Sequence, residues 1–211
     1  MPAAIERLRK REHRKDEVYS ELSNRLAELI EDVRELRVSD DERTETLTLE
    51  VTGRDGVRHP ASSLSDGSLR FLVLAALAID AEAERLICLE EPENGIHPER
   101  IPAMVRLLRD IATDPRFAVG PDNPFRQVIV NTHSPAVIGC LDSDELVYLD
   151  QQQVTQPGGV GRVALVRVPD GGWRAKSSAP SAVMPLTPGQ LSPYRCTPDG
   201  QILMPLQTGQ T

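Results

Sequence analysis

The sequence predicts an α/β fold in which a partial parallel sheet is flanked by helices and preceded by an N-terminal helical arm. The predicted strands 85–90 and 126–131 contain short continuous apolar runs, at 86–89 and 128–130, typical of strands buried on both faces of a parallel sheet. Between them, residues 98–113 have apolar positions at helical spacing. Strand, helix and strand in this order form a βαβ unit, so we expect parallel strands joined by a right-handed crossover.

The N-terminal arm is predicted from residues 3–38, which carry many charges of both signs and no glycine. Six side chains in this segment recur in alternating steps of three and four, as in a heptad seam: Tyr19, Leu22, Leu26, Leu29, Val33 and Leu36. This spacing predicts a helix that packs lengthwise against another helix. The sequence leaves two alternatives open, a coiled-coil arm or an ordinary amphipathic helix on the body of the domain.

The following segments change from strand patterns to helix patterns and back. Residues 46–52 alternate apolar and polar and lead into a glycine-containing turn at 53–56, which predicts a β-hairpin. Residues 68–83 are almost all apolar and good helix formers, so we expect a buried helix. Two further strands are expected at 145–149 and 162–168.

These patterns divide the chain into three parts. Residues 1–40 are the helical arm, and residues 41–169 contain the sheet and its helices. From residue 170 to residue 211, proline, glycine, serine, threonine and glutamine dominate, and no apolar period survives. We therefore expect this last part to be a poorly ordered tail.

The composition excludes several classes of protein. A net charge of −8 disfavours a broad nucleic-acid face on this chain alone, so we expect DNA as a partner only through an assembled complex. The cysteines, Cys88, Cys140 and Cys196, follow no metal spacing, and Cys88 is expected inside the sheet core. No segment has the length of a membrane span, and the N-terminus lacks an apolar signal core. We expect a soluble protein of the reducing cytoplasm.

Two adjacent acids close the first predicted strand of the parallel pair. Glu90 and Glu91 follow four apolar residues, and Pro92 ends the strand behind them. Carboxyl ends of parallel strands are where open α/β sheets bind their ligands. Hydrolysis of a nucleotide γ-phosphate needs Mg²⁺ and a group that orients the attacking water. Glu90 would face the metal, partly through water, and Glu91 would activate the water. The alternative is an acidic loop rim.

A serine- and glycine-containing turn precedes the predicted buried helix. The turn is Leu64-Ser65-Asp66-Gly67-Ser68, and backbone N–H groups at a helix N-terminus favour anions. Gly67 would allow close approach of a phosphate, and Ser65 would add a hydroxyl donor. The alternative is a plain N-cap at Ser65 or Ser68.

The second strand of the pair leads into a histidine. His133 lies in Asn131-Thr132-His133-Ser134-Pro135, on the edge of the sheet where Glu91 is also expected. An imidazole there can hydrogen-bond a γ-phosphate and sense its loss. The alternative is a structural or solvent-facing loop histidine.

In this order, the three motifs resemble those of ABC-type ATPases of the SMC/RecF and OLD-like group, often described as AAA-family ATPases. The resemblance covers residues 45–150 and implies a P-loop NTPase-like head that binds ATP and Mg²⁺. Ser65 and Gly67 match the signature motif, which contacts the γ-phosphate held by the other subunit of a head-to-head dimer; Asp66 replaces a glycine. Glu90 and Glu91 match the Walker B acid and the catalytic glutamate.

Two further segments extend the resemblance, and one motif is missing. Asn94-Gly95-Ile96-His97-Pro98 is similar to the D-loop, with His97 in place of the usual aspartate, and His133 matches the switch histidine. The phosphate loop, Gly-x-x-x-x-Gly-Lys-[Ser/Thr], is absent, because none of the lysines follows a glycine: Lys10, Lys15 and Lys176. The resemblance therefore implies the C-terminal lobe of an ATPase, as a fragment or a split subunit. A homodimer partner or a second chain would supply the Walker A lobe.

Two other functions are weighed against this one. The chain is either an ATPase lobe or a non-enzymatic interaction module with a relict ATPase fold, which would bind a partner through the heptad helix. A metal-dependent nuclease would combine Glu90 or Glu91 with Asp142 and Asp144. The nuclease is disfavoured because Asp142-Ser143-Asp144 precedes a predicted strand instead of following one.

Overall fold

A computed structural model describes residues 2–11, 15–41, 43–80, 83, 86–156, 159–170, 175–176 and 184–186. The chain forms two compact units, Met1–Thr132 and His133–Thr211. The fold is mixed α/β and includes a parallel strand pair with helices, as the sequence predicts. Among the described residues, no helix combines the length and the apolar character needed to cross a bilayer.

The first unit begins with two helices and an antiparallel sheet. The helices are α1, Pro2–Arg11, and α2, Lys15–Leu29. The strands are β1, Val33–Asp41, β2, Thr46–Gly53, and β3, Arg58–Pro60, in the order β1-β2-β3. The predicted hairpin is confirmed, since β2 and β3 pair antiparallel across the glycine-containing turn.

The prediction of one continuous helix through residue 38 is wrong. Helix α2 ends at Leu29, and both Val33 and Leu36 are buried side chains of β1. A register irregularity between Val33 and Glu35 places these two side chains, three residues apart, on the same face of the strand. Because of this bulge, two residues at helical spacing share one buried face of a strand. The sequence alone could not distinguish this arrangement from a helical repeat.

The remainder of the first unit is the βαβ unit and the helix that precedes it. Helix α3 is Asp66–Ile79, strand β4 is Leu86–Glu90, helix α4 is Ile101–Ile111, and strand β5 is Gln127–Asn131. Strands β4 and β5 pair in parallel, with Glu90 opposite Asn131 at their carboxyl ends. The parallel pairing is confirmed, and α3 ends four residues before the predicted boundary, with Asp80 as its C-cap.

The sequence predicts that β4 and β5 are buried on both faces, but in the structure one face of this pair is exposed. On one face of the pair, Ile87 is buried. On the other, Leu86 is 53% exposed, Ile129 is 54% exposed, and Cys88 is exposed. Cys88 is therefore not a core residue here, and an apolar face of a parallel pair is open to solvent.

The core of the first unit is formed by helices α2, α3 and α4 and strand β1. Its largest fully buried side chains include Leu22, Leu26, Leu36, Phe71, Leu72, Leu74, Met104, Leu107 and Ile111. Helix α2 packs on α3 and β1, and the Arg25 guanidinium lies 2.5 Å from Asp110 of α4. These contacts agree with one of the two alternatives from the sequence, in which α2 is an ordinary amphipathic helix packed on the body of the domain.

The second unit contains a short helix and a three-stranded sheet. Helix α5 is Pro135–Gly139, and strands β6, Tyr148–Gln156, β7, Gly159–Pro169, and β8, Met184–Leu186, follow in the order β6-β7-β8. The strand expected from residue 145 begins only at Tyr148, because residues before it form a 3₁₀ turn. The predicted tail falls largely outside the described residues; within it, β8 pairs with β7.

Candidate functional site

The N-terminus of α3 is built by Ser65. The Ser65 Oγ accepts a hydrogen bond from the backbone N–H of Ser68 at 3.2 Å, and the two hydroxyls are 2.9 Å apart. Ser65 has extended backbone angles, as an N-cap residue should. Its hydroxyl is thus used within the chain, which is the alternative that the sequence left open. Ser68 is buried beneath the turn.

Gly67 brings this turn against the loop that follows β4. A Cβ built on Gly67 would lie 2.4 Å from the carbonyl oxygen of Gly95. Gly95 itself has a φ of +81°, a left-handed conformation that glycine adopts without a steric penalty. The predicted signature turn and the predicted D-loop are therefore in direct backbone contact, and Gly67 is needed for that contact whether or not it meets a phosphate.

The two adjacent acids differ sharply in their surroundings. Glu90 is the last residue of β4 and is exposed. Among the residues that the structure describes, no hydrogen bond or ion pair is found for its carboxylate. Such a carboxylate at a strand end is available to a cation, since Mg²⁺ prefers oxygen ligands and retains several waters.

Glu91 occupies a strained backbone conformation. Its φ is 44°, a left-handed value that costs a residue with a Cβ about 1–2 kcal/mol. Hydrogen bonds hold it there: its N–H donates to the Asn131 carbonyl at 2.8 Å, and its own carbonyl accepts from the Asn94 N–H at 3.1 Å. The Asn94 amide also donates to Glu91 Oε2 at 2.7 Å. The surrounding structure thus determines both the backbone and the side chain of Glu91.

Arg70 links Glu91 to helix α3. Its guanidinium Nη1 donates to the Glu91 carbonyl at 2.9 Å. Sequence reasoning missed Arg70, because an arginine on the exposed side of a helix carries no signal of its own. It also missed the contact of Gly95 with Gly67, although a glycine after the acids was visible in the predicted D-loop.

His97 has a local structural role at the end of this loop. Its Nδ1 accepts a hydrogen bond from the Glu99 N–H at 3.4 Å, so it caps the 3₁₀ turn Pro98–Arg100. The side chain is 69% exposed. This position leaves the imidazole accessible, and its assignment to nucleotide binding stays a prediction.

His133 begins the second unit, two residues after the end of β5, and is exposed. Its role as a switch histidine stays a prediction. Asp142 has a structural explanation, since it takes part in a capping box with Glu145, whose Oε2 accepts from the Asp142 N–H at 2.8 Å. Within the described ranges, no group of three or more acidic, histidine or cysteine side chains is arranged to hold a metal.

Within the first unit, then, the structure brings together most of the predicted motifs. The turn at Ser65 and Gly67, the acid pair and the D-loop meet at the carboxyl end of β4, where Arg70 and the Gly67–Gly95 contact join them. This edge presents a helix N-terminus, an exposed carboxylate and a rigidly held glutamate. Such a set of groups suits a phosphate ligand with a divalent cation.

Comparisons with solved structures find heads of SMC proteins. A chain from a study titled "Structural biochemistry of ATP-driven dimerization and DNA stimulated activation of SMC ATPases" is 12% identical with a TM-score of 0.44, over 70% of this chain and 82% of that chain. A Pyrococcus furiosus Smc head with an extended coiled coil, bound to the C-terminal domain of ScpA, is 12% identical with a TM-score of 0.44, over 70% and 34%. The Thermotoga maritima SMC head is 17% identical with a TM-score of 0.37, over 78% and 52%. This chain thus spans about a third of the length of the Pyrococcus furiosus chain and about half of the length of the Thermotoga maritima chain.

No curated protein matches the chain. A family model does match, over residues 2–139, and it is described as "AAA domain, putative AbiEii toxin, Type IV TA system". The match covers well over half of the chain and includes the N-terminal turn of α3, the acid pair and β5. The chain therefore belongs to this family of AAA domains, which are ATPase-type nucleotide-binding domains.

Proposed function

We propose that the chain is the C-terminal lobe of an ABC-type, OLD-like ATPase head and that it supplies the catalytic side of an ATP site. The observation that carries the proposal is Glu91, held at the end of a parallel strand in a left-handed conformation by its neighbours. Strain of this kind persists only where the surroundings overdetermine it, and it concentrates at active sites. Glu91 would be the general base or orienting group for the attacking water.

The remaining site residues take the roles that the resemblance implies. Ser65, Gly67 and Ser68 would contact the γ-phosphate bound by the opposite lobe of a head-to-head dimer. His97 would lie at the dimer-facing D-loop, and His133 would sense the γ-phosphate. The positive end of the α3 dipole favours an anion at this turn, although Gly67 and Ser68 are themselves buried and the Ser68 N–H is already bonded to Ser65.

The side chains at this edge include a carboxylate that can bind Mg²⁺, but they lack the groups that bind the phosphates of a whole nucleotide. Glu90 is an exposed carboxylate of the kind that holds Mg²⁺ directly or through water. Bound Mg²⁺ would neutralise charge that develops on the phosphates. The lysine and backbone cradle for the β- and γ-phosphates are absent from this sequence. Isolated chain should therefore bind ATP more weakly than micromolar, and calorimetry tests that.

The open face of β4 and β5 indicates where the missing lobe would pack. Leu86 and Ile129 expose more than half of their surface on this face, although parallel sheets are normally covered on both sides. A lobe that carries the phosphate loop, from the same chain or a second one, would bury this face. Any contact with DNA is assigned to the assembled complex, because the chain itself carries a net charge of −8.

The decisive experiment measures Mg²⁺-dependent ATP hydrolysis by the complete gene product, or by this chain together with the polypeptide that carries the phosphate loop. Glu91→Gln should lower kcat by about 10²–10⁴-fold, the usual contribution of a general base. Glu45→Gln is the matched control, because Glu45 is an exposed glutamate that also has a left-handed φ, of 50°, but lies in the turn before β2. It should leave kcat unchanged.

Two outcomes would count against the proposal. Equal rates for Glu91→Gln and the unmodified protein would remove Glu91 from the reaction. A complex that assembles but does not hydrolyse ATP would favour the alternative, a non-enzymatic interaction module with an ATPase-like fold.

A further inference from the structure

A third acid lies close behind the acid pair and is buried. Glu93 is only 7% exposed, in the loop that follows β4. Its Oε1 accepts a hydrogen bond from the hydroxyl of Thr132, the residue that follows β5. The loop after one strand is thus joined by a side-chain hydrogen bond to the segment after the other.

Burial of the Glu93 carboxylate does not favour the stability of the fold. Removing a carboxylate from water costs several kcal/mol unless it is well paired. Glu93 Oε2 is buried and has no hydrogen-bond partner among the residues that the structure describes. A half-satisfied buried acid is less stable than an apolar side chain of similar size. Its presence therefore requires an explanation other than the stability of the fold.

The position of Thr132 supplies that explanation. Asn131, directly before it, accepts the backbone hydrogen bond of Glu91. The two segments are therefore held together twice, by the backbone of Glu91 on Asn131 and by the carboxylate of Glu93 on Thr132. The pairing of β4 and β5 ends at Glu90 and Asn131, so these two hydrogen bonds extend the attachment of the chain after β4 beyond the paired strands.

We propose that Glu93 is a positioning residue that acts through Thr132. The hydrogen bond holds the segment after β5 in register with the loop that carries Glu91, so the backbone of Glu91 keeps its strained conformation. The inference rests on the proposed ATPase function for its catalytic consequence, because Glu91 is the group whose placement matters there.

The test uses Thr132→Val, which keeps the shape of the side chain and removes the hydroxyl, and Thr132→Ser, which keeps the hydroxyl. In the ATP-hydrolysing assembly, Thr132→Val should lower kcat by about tenfold to 10²-fold, the effect of a small misplacement of catalytic groups. KM for ATP should stay within about twofold, since this hydrogen bond contacts no phosphate. Thr132→Ser should restore most of the kcat.

Thr46→Val is the matched control. The Thr46 hydroxyl is also hydrogen-bonded to a side chain, the hydroxyl of Thr44 at 2.8 Å, but it lies at the exposed start of β2. This variant should hydrolyse ATP at the normal rate. A Thr132→Val protein with a normal kcat would overturn the inference and leave the proposed function intact.

A second measurement keeps the inference testable if the unmodified protein proves not to be an ATPase. Amide hydrogen exchange on the nucleotide-free full chain should be faster at Glu91, Glu93, Asn94 and residues 131–132 in Thr132→Val than in the unmodified chain or in Thr132→Ser. Unchanged exchange at both segments would show that the Glu93–Thr132 hydrogen bond positions nothing, and would overturn the inference whatever the enzymatic result.

Discussion

The contact between Gly67 and Gly95 can be tested with Gly67→Ala, because the contact decides whether this substitution raises or lowers the stability of the protein. Gly67 is the second residue of α3, a position where replacing glycine by alanine normally stabilises a protein. The gain is about 0.4–1 kcal/mol, because alanine favours the helix and restricts the unfolded chain. Without a tertiary contact, Gly67→Ala should therefore raise the stability.

The structure predicts the opposite result. The added Cβ would meet three backbone atoms, the Gly95 oxygen at 2.4 Å, the Gly95 carbonyl carbon at 2.5 Å and the Ile96 nitrogen at 3.0 Å. The closest of these is roughly 1 Å inside ordinary van der Waals contact. A backbone cannot rotate away as a side chain can, so we expect an overpacking cost of about 1–3 kcal/mol. Because two of the three distances are below 3.0 Å, the cost lies in the upper part of this range, about 2–3 kcal/mol, and the net loss after the intrinsic gain is about 1–2.6 kcal/mol.

Urea unfolding followed by circular dichroism measures this difference, and thermal unfolding should show a fall of about 2–10 °C in the midpoint. Gly120→Ala is the control, because a Cβ at Gly120 would meet no atom within 4 Å. That variant should be as stable as the unmodified protein or more stable by up to about 1 kcal/mol. If Gly67→Ala were as stable as the unmodified chain or more so, the backbone contact between the turn and the loop would be refuted.

Three further predictions concern the capping, the open sheet face and the surface charges of the first unit. Ser65→Ala should lower the unfolding free energy by about 0.5–2 kcal/mol in urea unfolding, and Ser65→Asp should recover most of it, since either side chain can cap α3. Ile87→Ala should cost about 2–5 kcal/mol, whereas Ile129→Ala, on the open face, should cost less than about 1 kcal/mol; equal losses would mean that both faces are buried. A double-mutant cycle on Arg25 and Asp110 should give a coupling of only about 0.2–1 kcal/mol, because both side chains are partly exposed, and the coupling should fall with added salt.

The parallel pair could be predicted from the sequence because its signals are local and agree with one another. The apolar runs of β4 and β5 and the helical spacing of α4 each specify one element, and the order of these elements specifies parallel pairing. A serine cap for α3 was also visible, but the sequence left Ser65 and Ser68 as alternatives and the structure selects Ser65.

The extent of the N-terminal helix could not be predicted, for a reason that lies in the β-sheet. Val33 and Leu36 are three residues apart, which in a regular strand would place them on opposite faces. The irregularity beside Glu35 reverses that relation, and a bulge depends on pairing with β2, which no local pattern records. Helical periodicity and a bulged strand are then indistinguishable in the sequence.

The residue types at the site were determined by the sequence itself: a turn with serine and glycine, two acids after an apolar run, and a histidine after another. Their chemical differences were decided by tertiary structure. Glu90 and Glu91 are adjacent and identical in kind, yet one is open to solvent and the other is held by Asn94 and Arg70 in a left-handed conformation. Arg70 is 21 residues from Glu91 along the chain, and only the folded backbone brings them within hydrogen-bonding distance. Side-chain chemistry follows from residue identity, whereas strain, burial and long-range hydrogen bonds follow from the position of each residue in the packed fold.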